Sequence, residues 1–297
     1  MLQSPVKMYF SIGRAPVYGD TWAPIDMERP RKIYTWADDL CKDKSIKESL
    51  KHLEKGGYLR KEGVSVFPGF RAAISKWGDW ELAIKSGYND AGHVHPDIGS
   101  IILLLNSEEI ADDLGSTGYA SEMFKWNRSP MSHNTVVVDN TFEITDYIVG
   151  RKNPGKIKTT KDSILIEGII AGNCKIRRFL KLNHGKIEDT TNISCEKPRK
   201  FTWFMYLNHP IKNIKGEPES RRFKDIHFVS DAVLVKNNYS FDNGKVNLAL
   251  DAGDGPASVY SFVSPGNKLV AKRYGIAWDK EGLTAEFKAV WSCSKEA

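Results

Sequence analysis

From Gly63 to its end the chain is a succession of short apolar or alternating runs separated by Gly, Asn, Asp and Pro, and this constrains its fold more than any other feature. Phe70–Trp77 and Trp80–Gly87 flank Gly78-Asp79, a hairpin-turn dipeptide. Candidate strands follow at 100–106, 109–113, 135–139, 163–170, 174–182, 186–194, 201–207, 227–235, 245–250, 258–263 and 268–278. No strand alternates with a helix, which excludes a doubly wound sheet. Many short strands with tight turns predict a mainly β fold, a large antiparallel β-sandwich.

Ahead of residue 63 the pattern differs. Met1 to Pro30 is rich in Pro, Gly and aromatics without a sustained period, and 17–22 reads as a loop. Ile33, Trp36, Ala37 and Leu40, then Ile46, Leu50 and Leu53, recur at helical spacing, which predicts a helical hairpin ending at Gly56-Gly57. The expected division is therefore a helical and loop segment at 1–62 and a β-sandwich at 63–297.

Within the β region the chemistry-bearing residues cluster around Gly92-His93-Val94-His95-Pro96-Asp97. If that run is extended, His93 and His95 project from one face. Asp113-Leu114-Gly115 and Ser132-His133-Asn134-Thr135 each adjoin a β-like run, and strand pairing is expected to bring the three places together. His95, Asp113 and His133 would then offer zinc two imidazoles and a carboxylate, leaving His93 free to act on a substrate.

The 297 residues carry a formal net charge of +6, which suits an anionic partner such as a polyanionic sugar. No basic helix interleaved with aromatics points to nucleic acid, and no apolar run is long enough to span a bilayer. Met1 to Lys7 lacks the basic and apolar regions of a signal peptide, so the chain is expected to be cytoplasmic or an internal piece of a longer exported protein. Cys41, Cys174, Cys195 and Cys293 are far apart in sequence and are expected to be buried free thiols.

The segments Phe70-Arg71-Ala72-Ala73, Trp80-Glu81-Leu82-Ala83, Gly92 to Ser100, Asp113-Leu114-Gly115 and Ser132 to Asp139 occur in an order that resembles the heparinase II/III-type polysaccharide lyases. Arg177-Arg178-Phe179-Leu180 and Ile187-Glu188-Asp189 fit that family's later sandwich strands. The resemblance implies that His93, the first histidine of H-x-H, lies in the active site. It implies a structural zinc ion on His95, Asp113 and His133. Tyr119, with Trp126 after it, stands where some alginate-cleaving members carry a catalytic tyrosine. Arg128 and Asn134 are weaker candidates for contacts to an acidic sugar.

Family members also carry an N-terminal α/α toroid that supplies further cleft residues. Met1 to about Arg60, with Tyr18-Gly19-Asp20, resembles only the toroid's last stretch. The resemblance thus implies a fragment, a truncated product or one piece of a split enzyme, periplasmic or secreted if a fragment, and working with a separate toroid or as a homo-oligomer.

The implied chemistry is β-elimination. The proton at C5 of a hexuronate becomes removable when its carboxylate is neutralised. A base then takes it, and a tyrosine or histidine protonates the leaving oxygen at C4. Two other classes compete: a non-catalytic, zinc-stabilised module binding acidic polysaccharide, and a cupin-type metalloenzyme. The cupin motif wants a glutamate shortly after the second histidine, and 97–101 holds none.

Overall fold

The computed structural model describes residues 8–12, 14–18, 31–32, 35, 37–39, 44–54, 61–87, 93–140, 155–183, 185–224, 226, 228–236, 239–251, 258–266 and 271–294. Helical backbone at 31–32, 35 and 37–39 precedes the helix α1 (Lys44–Glu54), and Ala37 and Ile46 are buried as the apolar spacing requires. Gly56-Gly57 and Cys41 lie outside the described residues, as do His184 and His227.

Five strands form the first sheet in the order of the chain: β1 (Gly63–Phe67), β2 (Ala72–Trp77), β3 (Trp80–Lys85), β4 (Ile101–Leu105) and β5 (Glu108–Ala111). All its pairings are antiparallel, and Trp77 faces Trp80 across the Gly78-Asp79 turn. The run Ile101-Ile102-Leu103-Leu104-Leu105 is buried on both faces of the sheet. Ile101, Leu103 and Leu105 join the main core, whereas Ile102 and Leu104 meet Phe10, with Met8, Ile12 and Tyr18 packed alongside. The described N-terminal segment thus covers the outer face of this sheet. Hydrogen bonds from Ser11 N to Glu81 and an Arg14–Glu109 ion pair of 3.0 Å hold it there.

A short helix, α2 (Phe124–Asn127), and a 3-10 turn at Pro130–Ser132 lead into the second sheet. Its strands are β6 (Val136–Val138), β7 (Lys156–Thr159), β8 (Ser163–Ile170), β9 (Cys174–Asn183), β10 (Lys186–Leu207), β11 (Gly216–Pro218), β12 (Ser230–Val235), β13 (Ser240–Asp242), β14 (Val246–Leu250), β15 (Ser258–Pro265) and β16 (Lys272–Cys293). The order is β11-β12-β15-β16-β10-β9-β8-β7, with β6 on β10 and the β13–β14 hairpin on β16. One apolar core joins the two sheets, so the fold is a mainly β antiparallel sandwich.

Two details differ from the sequence expectation. The runs 186–194 and 201–207 are one strand, β10, and β16 continues past Trp278 to Cys293. Asp279-Lys280-Glu281-Gly282, just past the end of the predicted strand, pairs with Arg199–Thr202, beyond a shift of register between Ser194 and Arg199. This irregularity lets both strands run on past the ends that the sequence predicts.

The cysteines differ as well. Cys174 and Cys195 form a disulfide, and Cys293 is exposed. Spacing of 21 residues hid the pairing, but antiparallel register places Cys195 one step past the Ser194–Lys175 pair. Cys195→Ser is expected to lower unfolding free energy by about 3 kcal/mol, the value for closing a loop of this size. Urea unfolding in the presence and absence of reductant checks this, and identical curves would refute it.

Candidate active site

The loop between β3 and β4 carries both histidines, and it is not a strand. His93 adopts φ +59°, in the left-handed region, and Gly99 φ +84°. The side chains accordingly part: His93 is exposed and His95 fully buried. A Cβ at Gly99 would stand 2.9 Å from Thr135 Oγ1 and 3.2 Å from Ile176, so glycine is required for the loop to pass.

His93 Nδ1 lies 2.6 Å from the Tyr119 hydroxyl, with the rings edge to face at 6.2 Å. Tyr119 is 56% exposed and rests on Phe124 at 5.2 Å, not on Trp126, which is buried against Phe228. The same Phe124 ring carries Arg128, whose guanidinium sits 5.2 Å from it. Arg128 Nε is buried without a hydrogen-bond partner among the described residues. His93, Tyr119 and Arg128 therefore gather around Phe124 as a ledge: an exposed, hydrogen-bonded His–Tyr pair and a half-buried cation.

Behind the ledge is a buried polar cluster. His133 Nδ1 donates to Asp113 Oδ2 at 2.6 Å, and the His95 and His133 rings are 5.3 Å apart. Gly115 N and Ser100 Oγ also donate to Asp113. Burial alone would raise the Asp113 carboxyl and depress the His133 imidazole. Their mutual attraction outweighs it, so Asp113 is held below the usual carboxylate range and His133 above the usual imidazole. Burial pushes neighbouring Asp112 up to about 7, against the pull of Arg273.

Asn134 is placed inside this scaffold and not in a cleft. Its amide donates to Ile101 O and Asp112 O, both at 2.9 Å, and its Oδ1 accepts from Tyr206 N at 2.8 Å. One side chain thereby ties β4, the end of β5 and β10. Trp77 and Trp80, which flank the Gly78-Asp79 turn, are buried in the core.

The family model described as Heparinase II/III-like, C-terminal matches residues 46–269. The chain belongs to the heparinase II/III-like C-terminal family. Among solved structures it is similar to a heparinase III, the BT4657 gene product, at 18% identity and a TM-score of 0.72, covering 100% of this chain and 46% of that one. It is also similar to the heparan sulfate lyase HepC from Pedobacter heparinus, at 13% identity and a TM-score of 0.71, with 100% and 46% covered. The chain thus spans less than half the length of these structures. A search of the curated proteins finds no match.

The heparinase-like scaffold gathers the proposed zinc donors without arranging them as a finished set. Among the described residues no three His, Cys, Asp or Glu side chains form a ready ligand group. The donor chemistry nevertheless fits zinc: two imidazoles and a carboxylate, all fully buried, with His133 Nε2 lacking a hydrogen-bond partner.

Two buried arginines of this heparinase-like sandwich carry roles that motif reading does not give, although Arg178 lies in the Arg177–Leu180 segment of the family resemblance. Arg178 grips both oxygens of Asp189 and donates to Gly99 O at 2.6 Å and Asn134 O at 2.7 Å. Arg273 donates to Asp112 O and Ser132 O and lies 4.0 Å over the Tyr206 ring. Of the carbonyls they hold, those of Asp112, Ser132 and Asn134 adjoin Asp113 or His133, and that of Gly99 lies in the loop that carries His95. A signal existed: Ile176, Arg178, Leu180 and Leu182 share the inward face of β9, so Arg178 interrupts an apolar stripe.

Proposed function

We propose that this chain is the β-sandwich portion of a polysaccharide lyase that cleaves uronate-containing glycans by β-elimination. The observation that carries the reading is the His93 Nδ1–Tyr119 hydroxyl contact of 2.6 Å on an exposed ledge beside Arg128. Arg128 neutralises the uronate carboxylate, which makes the C5 proton removable. His93 accepts the phenolic proton, and the Tyr119 oxygen takes the proton from C5. The C5–H electrons form the C4–C5 double bond as the C4–O bond breaks, and the departing oxygen is protonated from the same His93–Tyr119 pair. The test is product formation: an unsaturated uronate absorbs in the ultraviolet, and alginate, heparan sulfate and related uronates are the panel. A chain spanning under half the length of the similar structures also fits a non-catalytic module binding acidic polysaccharide. Absence of product from every substrate favours that module.

The same reading gives a structural zinc ion to His95, Asp113 and His133. When bound, zinc supplies cross-linking between the loops that carry these residues and position His93. His95→Ala, Asp113→Ala and His133→Ala are each expected to lower zinc affinity by at least the 10–100-fold that loss of an outer partner costs. Each is also expected to lower Tm. Metal analysis and thermal unfolding read both effects, and stoichiometric zinc in all three variants would refute the site.

A further inference from the structure

The outer face of the second sheet carries a groove of 660 Å³ that the His93 ledge does not use. Strand alternation explains its separation from that ledge. On β9, Ile176 and Arg178 point inward to the Gly99 turn, while Lys175 and Arg177 point out. Gly168 on β8 backs onto Ile98, where a Cβ would meet the Ile98 side chain at 2.8 Å. The sheet therefore lies between the groove and His95, and Gly155 at the groove's edge abuts Ser86, at the start of the histidine loop.

Cross-strand register builds the groove in two rows. Ile169, Lys175, Ser194 and Thr284 lie opposite one another in one row, and Glu167, Arg177, Asn192 and Glu286 in the next. Lys156 stands opposite Glu167 at the far edge. Both carboxylates are already matched, Glu167 by Lys158 at 3.2 Å and Arg177 at 4.0 Å, and Glu286 by Lys288 at 2.6 Å. Lys156 and Lys175 are exposed and have no ion-pair partner among the described residues. Ile169, 45% exposed, and the strand backbone give the floor an apolar character.

We infer that this groove is a second binding site for an anionic polysaccharide, separate from the His93 ledge. An apolar floor suits the C–H faces of sugar rings, hydroxyl and amide groups suit their hydroxyls, and the unmatched lysines suit carboxylate or sulfate groups. The volume lies within the range of small-ligand sites. Other occupants fit less well. Among the described residues its lining holds no aromatic ring on which a base could stack. Peptide addition by strand pairing needs a sheet edge, and this is a sheet face.

The inference does not depend on the lyase reading, and its test keeps the two apart. A size-defined heparan sulfate oligosaccharide is titrated calorimetrically into a Tyr119→Phe/Arg128→Ala protein, in which the ledge is disabled. Binding is expected to persist there. Adding Lys156→Ser and Lys175→Ser is expected to weaken it roughly tenfold, and Lys156→Arg/Lys175→Arg to retain it. All these groove positions are exposed on strands, where substitution leaves folding intact. Groove substitutions without effect, no binding at all, or self-association that the same substitutions abolish would each overturn the inference. Binding at the groove by a protein that makes no product would leave it standing while the lyase proposal fails.

Discussion

Tyr119→Phe and His93→Ala are each expected to lower the rate of unsaturated-product formation by 10²–10⁴-fold, the range for losing a positioned acid or base. The two hydroxyl and imidazole atoms share one hydrogen bond of 2.6 Å, so they act as a unit. Combining the substitutions is therefore expected to cost little more than the worse single change. Both residues are on the surface, and neither supports the core, so Tm is expected to move by little in either variant. Arg128→Ala belongs to a different class of effect. It removes the group that neutralises the carboxylate, so kcat/KM falls, and uncharged ester substrates lose less than free acids. Product formed at wild-type rate by the Tyr119→Phe protein would refute the assignment outright. A large loss accompanied by a fall in Tm would assign Tyr119 to the scaffold instead.

What the sequence made legible follows from the physics of alternation. The strands between Ser163 and Leu182 read correctly because β8 and β9 alternate inward and outward residues. His95, Asp113 and His133 do meet, but packing of one sheet on the other, and not strand pairing, brings His133 to Asp113, since Asp113 follows β5 in the first sheet and His133 precedes β6 in the second. The extended reading of His93-Val94-His95 was not safe, because a left-handed residue breaks the two-residue period without any local warning. Asn134 illustrates a different blind spot. A polar residue in a motif reads as a substrate contact, yet here every polar atom of its side chain is engaged by backbone. Long-range partners of that kind depend on tertiary register, which no window of sequence contains. The same holds for the Cys174–Cys195 bond and for the long pairing of β10 with β16.

Arg178→Ala and Asp189→Ala are each expected to destabilise the chain by about 3–5 kcal/mol, because either leaves an uncompensated charge in the core. Both side chains are buried, and the guanidinium holds both carboxylate oxygens. That loss is a large share of the roughly 5–15 kcal/mol by which a domain is stable. The paired change Arg178→Met/Asp189→Leu separates charge from anchoring. If the ion pair alone matters, the double variant recovers most of the loss, as replacing both partners of a buried pair often does. Arg178 also satisfies Gly99 O and Asn134 O, and methionine offers those carbonyls nothing. Each buried, unsatisfied carbonyl costs about 1–3 kcal/mol, so the double variant is expected to stay below wild type by a comparable amount. Urea unfolding gives these values, and a loss under about 1 kcal/mol in both single variants would refute the buried pair. Hydrogen exchange at residues 97–100 and 133–135 gives the local consequence, since these amides lie in the two segments that Arg178 joins. Their protection is expected to fall in the double variant beyond the global loss. Arg178 would then be the residue through which strand β9, remote in sequence, holds the histidine loop against the His133 segment.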